Sequence, residues 1–271
     1  MKFWTADSFT NQAFKGNPAA ICIVEKFPTD ELMQKIAAEI NLSETSFVMP
    51  KSNGHYDIRW FTPLIEVKLC GHATLAAAHI LWQNFQTNKL PIYFDSLSGV
   101  LMAVWNQEQI TLDFPAYNSK PVPIPNGLTD ALKIAPVCVS KSQGDCIVEL
   151  HSFSDVIQLK PNLGKLAEIE YRGIIVTAEG SEKDEYDFIS RFFAPRIGIS
   201  EDPVTGSSHC KLGPYWAKRL GKKDFTAYQA SQRGGVLKVR YENNRVYLTG
   251  QAVTVLEGNF LNISHPYKAA P

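Results

Sequence analysis

Arg59-Trp60-Phe61-Thr62-Pro63 and, about half a chain later, Arg191-Phe192-Phe193-Ala194-Pro195 share one pattern: Arg, aromatic, Phe, small residue, Pro. Each is followed shortly by a glycine that opens a largely apolar segment. The first reads Gly71-His72-Ala73-Thr74-Leu75-Ala76-Ala77-Ala78 and the second Gly206-Ser207-Ser208-His209-Cys210-Lys211-Leu212. A further pair aligns without gaps. Gly99-Val100-Leu101, a polar turn at Asn106-Gln107-Glu108 and Ile110-Thr111-Leu112 match Gly235-Val236-Leu237, Glu242-Asn243-Asn244 and Val246-Tyr247-Leu248. Two echoes in the same order at a similar offset point to two related halves. The period is far too long for a solenoid repeat.

Working outward from these echoes, the chain reads as mixed structure. Thr29 or Asp30 caps a helix that carries Leu32, Ile36, Ala37 and Ile40 on one face. Ser43–Met49 reads as a strand, and Asn53-Gly54 marks a hairpin before a strand over 55–61. Residues 71–85 form an Ala-rich helix, apolar nearly all round, which implies full burial. Strands dominate 92–114, and the Pro-rich stretch Pro115–Pro125 is a linker or crossover. Strands follow near 137–140, 146–151 and 172–178. A helix over 207–220 ends at Gly221, a C′ glycine, and strands run from 225 to about 262. Each half is then a curved sheet around one buried helix, an α+β fold. The expected boundaries are 1–115 for the first half and 116–257 for the second, with residues 258–271 packing back on the first.

Composition narrows the function classes. Of 271 residues, 45% are hydrophobic and 20% charged, enough for a sizeable core. Lys plus Arg number 27 and Asp plus Glu 27, a balance that gives no reason to expect nucleic acid or an anionic membrane as partner. No apolar stretch reaches the roughly 18 residues of a spanning helix. The N-terminus lacks an apolar signal core, so a cytoplasmic location is expected. Five scattered cysteines argue for free thiols rather than a disulfide scaffold.

A cleft between related halves is a natural ligand site. The glycines Gly71 and Gly206 open helices, and a helix N-terminus offers unpaired N–H groups and a positive dipole end. Two such tips at one cleft would hold a carboxylate, although close packing of each helix on its sheet would explain the glycines equally well. Glu44, between a helix and a strand, is a candidate general base, set against an ordinary solvated strand-end glutamate. His72 and Asp202 work as its partners only if the halves bring them together; otherwise they are a helix-start histidine and a turn aspartate before Pro203. Ser207 is a candidate substrate contact or a plain N-cap. Cys70, His72, His209 and Cys210 fit no usual metal spacing, so no metal is expected. No phosphate-binding or dinucleotide motif is present in the sequence.

Asp7-Ser8-Phe9-Thr10, Phe14-Lys15-Gly16-Asn17-Pro18-Ala19-Ala20, Asn41-Leu42-Ser43-Glu44-Thr45-Ser46-Phe47, Trp60-Phe61-Thr62-Pro63, Leu69-Cys70-Gly71-His72-Ala73-Thr74-Leu75-Ala76, Glu201-Asp202-Pro203-Val204-Thr205-Gly206-Ser207 and Arg233-Gly234-Gly235 together resemble the phenazine-biosynthesis PhzF-like family. The likeness spans almost the whole chain. It implies the diaminopimelate epimerase-like fold and an isomerase that moves a proton at carbon without a cofactor. It implies catalytic roles for Glu44, His72 and Asp202. Gly16, Asn17, Cys70, Gly71, His72, Gly206 and Ser207 become substrate contacts, and the expected assembly is a homodimer. The implied substrate is a small metabolite carrying a carboxylate. The epimerases of this fold use two opposed cysteines; Cys70 falls at the first position and Asp202 is expected at the second. Two alternatives stand beside this reading: a binding protein that keeps the pocket without turnover, and a racemase that depends on Cys70.

Overall fold

The Ala-rich segment decides how the first half is built. Ala73, Leu75, Ala76, Ala77, Ala78, Ile80 and Leu81 are all at most 1% exposed, so the helix they form is enclosed on every side. The computed structural model describes residues 1–85, 88, 90–181, 183, 185–261 and 263. Its first half runs β1 (Lys2–Ser8), β2 (Asn17–Ile23), α1 (Asp30–Ile40), β3 (Glu44–Pro50), β4 (Tyr56–Phe61), β5 (Glu66–Val67), α2 (Gly71–Asn84), β6 (Ile92–Ser96), β7 (Gly99–Asn106) and β8 (Gln109–Pro115). The second runs β9 (Lys120–Pro121), α3 (Leu128–Leu132), β10 (Cys138–Ser142), β11 (Asp145–Glu149), α4 (Phe153–Gln158), α5 (Leu163–Glu168), β12 (Gly173–Glu179), β13 (Phe188–Ala194), β14 (Ile199–Asp202), α6 (Gly206–Leu220), β15 (Asp224–Gln229), β16 (Gly235–Glu242), β17 (Arg245–Gly250) and β18 (Ala252–Asn259).

The pairings repeat between halves. β1–β2 is antiparallel, β2–β3 parallel, β3–β4 antiparallel, β4–β6 parallel, and β6–β7–β8 antiparallel. In the same order, β10–β11 is antiparallel, β11–β12 parallel, β12–β13 antiparallel, β13–β15 parallel, and β15–β16–β17 antiparallel. The last strands of the two halves, β8 and β17, pair with each other. The following strand then crosses over in both directions: β9 adds to β10, and β18 adds to β1. The Pro-rich stretch carries the first crossing.

The second crossing begins earlier than the expected residue 258, because β18 pairs with β1 from Ala252 to Asn259, with a bulge at Val255. Beyond it, the Phe260 amide bonds the Met1 carbonyl and its ring lies 4.8 Å from Phe3. The remainder of the expected tail, 262 and 264–271, lies outside the described residues.

The Arg-aromatic-Phe echo follows from strand alternation, in which successive side chains face opposite sides of the sheet. Trp60 and Phe192 turn inward to the core that surrounds α2 and α6 and runs through both halves. Phe61 and Phe193 turn outward, each to a smaller cluster under the helices of its own half. The arginines do matching work. Arg59 makes a two-pronged bond to Glu66, with both contacts at 2.7 Å, and Arg191 makes one to Glu201 at 2.7 and 2.9 Å. Each pair ties β4 or β13 to the segment that leads into the next buried helix.

The expected caps are present: Thr29 accepts from the Leu32 amide, and Gly221 closes α6 in the left-handed region. Strands β1 and β2 were not expected from the sequence. β2 contains Ala19 and Ala20, poor strand formers that are both fully buried: Ala19 faces the core around α2, where a small side chain lets the helix approach, and Ala20 faces the opposite side of the sheet. Helices α3, α4 and α5 have 5 or 6 residues, too few to show a helical period. No helix among the described residues is long and apolar enough to cross a membrane. All five cysteines are free thiols. A groove of about 600 Å³, lined by Thr111, Asp113, Lys238 and Arg240, lies on the outer face of the sheet joining the halves, away from Glu44.

Candidate active site

Glu44 opens β3, just after Asn41 ends α1 in the left-handed conformation. Its side chain is 16% exposed, and its Oε2 lies 3.1 Å from Nε2 of His72. His72, the second residue of α2, is buried, and its carbonyl accepts a bond from Ser8 Oγ at 2.8 Å. The other edge of the imidazole is also occupied: Nδ1 lies 3.5 Å from Cys70 Sγ and 3.2 Å from Asn17 Nδ2.

The second half supplies Asp202, the last residue of β14. Asn17 Nδ2 donates to its Oδ1 at 2.9 Å, and Thr205 Oγ1 donates to its Oδ2. Gln229 completes the frame. Its Nε2 donates to the Asp202 carbonyl and to Thr205 Oγ1, and its Oε1 accepts from the Thr205 amide. Asn17 also donates to the Val204 carbonyl at 2.8 Å.

The helix glycines bring the halves into register. A Cβ placed on Gly71 would lie 3.7 Å from the Gly206 Cα, and the converse distance is also 3.7 Å. The tips of α2 and α6 therefore meet, and each glycine also lies against a sheet residue, with Phe114 3.5 Å from a Cβ on Gly71 and Leu248 3.5 Å from one on Gly206.

The site is chemically one-sided. In the parallel pair of the first half Ala19 stands opposite Glu44; in the second half Asp145 stands opposite Gly173. A Cβ on Gly173 would lie 2.3 Å from the Phe192 ring, so that aromatic excludes a side chain where the first half places its acid.

One expectation is corrected. Cys70 is the N-cap residue before Gly71, and the residue in the same place before Gly206 is Thr205, not Asp202. Asp202 reaches the centre from the preceding strand, bonded to Thr205. Of the other expected contacts, Gly16 spends its backbone between the lobes: its amide donates to Gly234 and its carbonyl accepts from Arg233. Ser207 lies exposed in the first turn of α6.

Burial drives the electrostatics. It pushes Asp202 up to about 6, with nearby Glu44 adding to the rise and His72, Thr205 and Asn17 opposing it. Burial pushes the Cys70 thiol up to about 11, again with Glu44 adding to the rise. At His72 burial opposes the charged form, but Cys70 and Glu44 outweigh it and hold the imidazole well above its ordinary value. Glu44, Cys70 and His72 each offer a donor atom within 4.8 Å of the others. However, Cys70 approaches Nδ1 and Glu44 approaches Nε2. These nitrogens lie on opposite edges of one ring, so the three form a chain rather than a chelate.

Sequence reading missed Gln229 and Thr205. A signal was available for Thr205, which stands before its helix glycine as Cys70 does before Gly71. Nothing in the sequence around Gln229 marks it.

The chain as a whole is similar to known proteins. Residues 6–258 match the family model for phenazine biosynthesis-like protein, PhzC-PhzF. An uncharacterised isomerase of Halalkalibacterium halodurans is 51% identical over 260 residues, covering 95% of this chain and 97% of that protein. The crystal structure of a PhzF-family phenazine biosynthesis protein from Enterococcus faecalis superposes with a TM-score of 0.91 at 38% identity, covering 96% of this chain and 99% of that one. A probable proline racemase from Agrobacterium radiobacter, at 9% identity, shares the fold with a TM-score of 0.65 over 99% of this chain and 94% of its own. The architecture is thus the diaminopimelate epimerase-like α+β fold. By the family match over nearly its whole length, this chain belongs to the phenazine biosynthesis-like, PhzC-PhzF, family.

Proposed function

We propose that this chain is a cofactor-independent isomerase that moves a proton between carbons, or between faces of one carbon, on a small metabolite carrying a carboxylate. Glu44 is the general base. It takes a proton from a carbon next to the substrate carboxylate, and the electron pair left behind delocalises into that group. The amide N–H groups at the start of α2 and α6 stabilise the charge. The proton then returns from Glu44, or from Asp202, to the product position. His72 orients Glu44 and relays charge, and Ser207 in the first turn of α6 bonds the substrate.

The observation that carries this reading is the half-spanning cluster: Glu44 withdrawn from solvent and 3.1 Å from His72, with Asp202 joined to His72 through Asn17. The isomerase name carried by the relative from Halalkalibacterium halodurans agrees with it. A thiol route is the second reading, favoured by the 3.5 Å contact between Cys70 and His72.

Incubation of the full chain with a cell metabolite extract in D2O tests the proposal. The expected result is carbon-bound deuterium in a carboxylate metabolite, reduced in Glu44→Gln by roughly 10²–10⁴-fold with the fold retained. Full labelling by Glu44→Gln overturns the assignment. Retention of a metabolite without any labelling makes the chain a binding protein.

A further inference from the structure

We propose that Asn17 is a positioning residue that ties the acid–base groups of the two lobes together, holding Asp202 of one half and the imidazole of His72 of the other through a single amide group.

Asn17 is fully buried at the start of β2. Its Nδ2 reaches Asp202 Oδ1 at 2.9 Å, the Val204 carbonyl at 2.8 Å and His72 Nδ1 at 3.2 Å. The first two partners, a carboxylate and a peptide carbonyl, accept only, so the nitrogen must face them. The two hydrogens of the amide go to these acceptors, and an amide nitrogen cannot accept a bond from Nδ1–H, so its presence 3.2 Å away opposes a proton on Nδ1. The same group donating to Asp202 favours the carboxylate. One side chain therefore draws both groups toward their deprotonated forms. Oδ1 of Asn17 is buried without a partner, so the amide is placed for its donor end. Gly16 and Arg233 fix the backbone just before it: Arg233 Nε donates to the Gly16 carbonyl, and the Gly16 amide donates to Gly234.

The titratable groups facing this amide and its two partners are Glu44 from β3, Cys70 and His72 at the tip of α2, and Asp202 from β14. Thr205 gives an internal comparison. Its hydroxyl bonds Asp202 and Gln229 and makes no bond to His72.

The inference rests on the proposed proton chemistry for its meaning, but its test needs no turnover. The full chain, labelled with ¹³C at Asp Cγ and His Cε1, is titrated by NMR, with signals assigned through Asp202→Asn and His72→Gln. In Asn17→Ala the midpoints of both Asp202 and His72 are expected to rise, each by half a unit or more. In Thr205→Val only Asp202 is expected to rise. Asn17→Ser, which keeps a donor hydroxyl, is expected to fall between wild type and Asn17→Ala, and it stands in if Asn17→Ala does not fold. Unchanged midpoints in the Asn17 variants, or movement of Asp202 alone, overturn the bridging role. Failure of the D2O labelling leaves these midpoints untouched, so the two outcomes are separable.

Discussion

Asp202 and Cys70 occupy the same buried cluster and are displaced in the same direction, with different chemical results. At about 6, Asp202 is close enough to neutrality both to hold and to release a proton in a working enzyme. At about 11, Cys70 is a protonated thiol near pH 7, and a buried thiol of that kind packs as a small apolar group. Cys70→Ala is therefore expected to keep deuterium labelling within about tenfold of wild type, a change in barrier of no more than about 1.4 kcal/mol. Complete loss in a folded Cys70→Ala protein would move the chemistry to the thiol. At this scale the sequence was only partly legible. Glu44, His72 and Asp202 could be named, but their convergence depends on contacts across the chain that no local pattern encodes. Thr205 carries no charge, and only its position beside a helix glycine marks it, whereas Asp202 is ionisable.

At the level of elements, the arginine echo is the most consequential pattern. Arg191 and Glu201 are mostly shielded from water, and Arg191 also donates to the Leu159 carbonyl at 2.6 Å. Removing the guanidinium strands a carboxylate and a carbonyl together. Arg191→Ala is expected to lower stability by about 2–3 kcal/mol in urea unfolding, and Arg191→Lys to recover only part, because an ammonium cannot make the paired contact. A loss below about 0.5 kcal/mol would show that the pair does no more than a surface bridge. Gly173→Ala is a sharper probe, since its added methyl would run into Phe192. The expected cost is about 1–3 kcal/mol by thermal or urea melting. The halves, the buried helices and the hairpin at Asn53-Gly54 were readable because period and turn chemistry are local. β1 and β2 were not; in β2, Ala19 is chosen by the helix packed on its face and Ala20 by burial on the other face, rather than by strand propensity.

For the molecule as a whole, pH sets opposing demands. His209, fully buried with Nδ1 donating to the Thr205 carbonyl, is held down at about 4 by burial, as is His79. Below the ordinary histidine value the unfolded chain binds protons that the folded chain refuses. Each histidine therefore costs stability as pH falls from 6.5 to about 4, up to about 3 kcal/mol apiece. Asp202 acts in reverse. Its folded pKa is raised, so its contribution is fully present below the ordinary aspartate value and is lost as pH rises through about 6, a swing of about 3 kcal/mol. Asp202→Asn is thus expected to steepen the loss of stability between pH 6 and 4, measured as urea midpoints against pH. An unchanged slope would mean that Asp202 is not displaced. Because one apolar core runs through both halves, unfolding is expected as a single transition, with tryptophan fluorescence and far-ultraviolet circular dichroism coincident.

The exchanged strands have a consequence for ancestry. β18 completes the edge of the lobe that begins with β1, and β9 completes the edge that begins with β10. A primitive gene encoding only one such lobe would have had its closing ribbon reaching outward and its opening edge bare. Two copies could have closed only by lending that ribbon to each other. Fusion of the paired genes would then have freed each copy to diverge, leaving one lobe with the acid and the other with an aromatic plug at the matching spot.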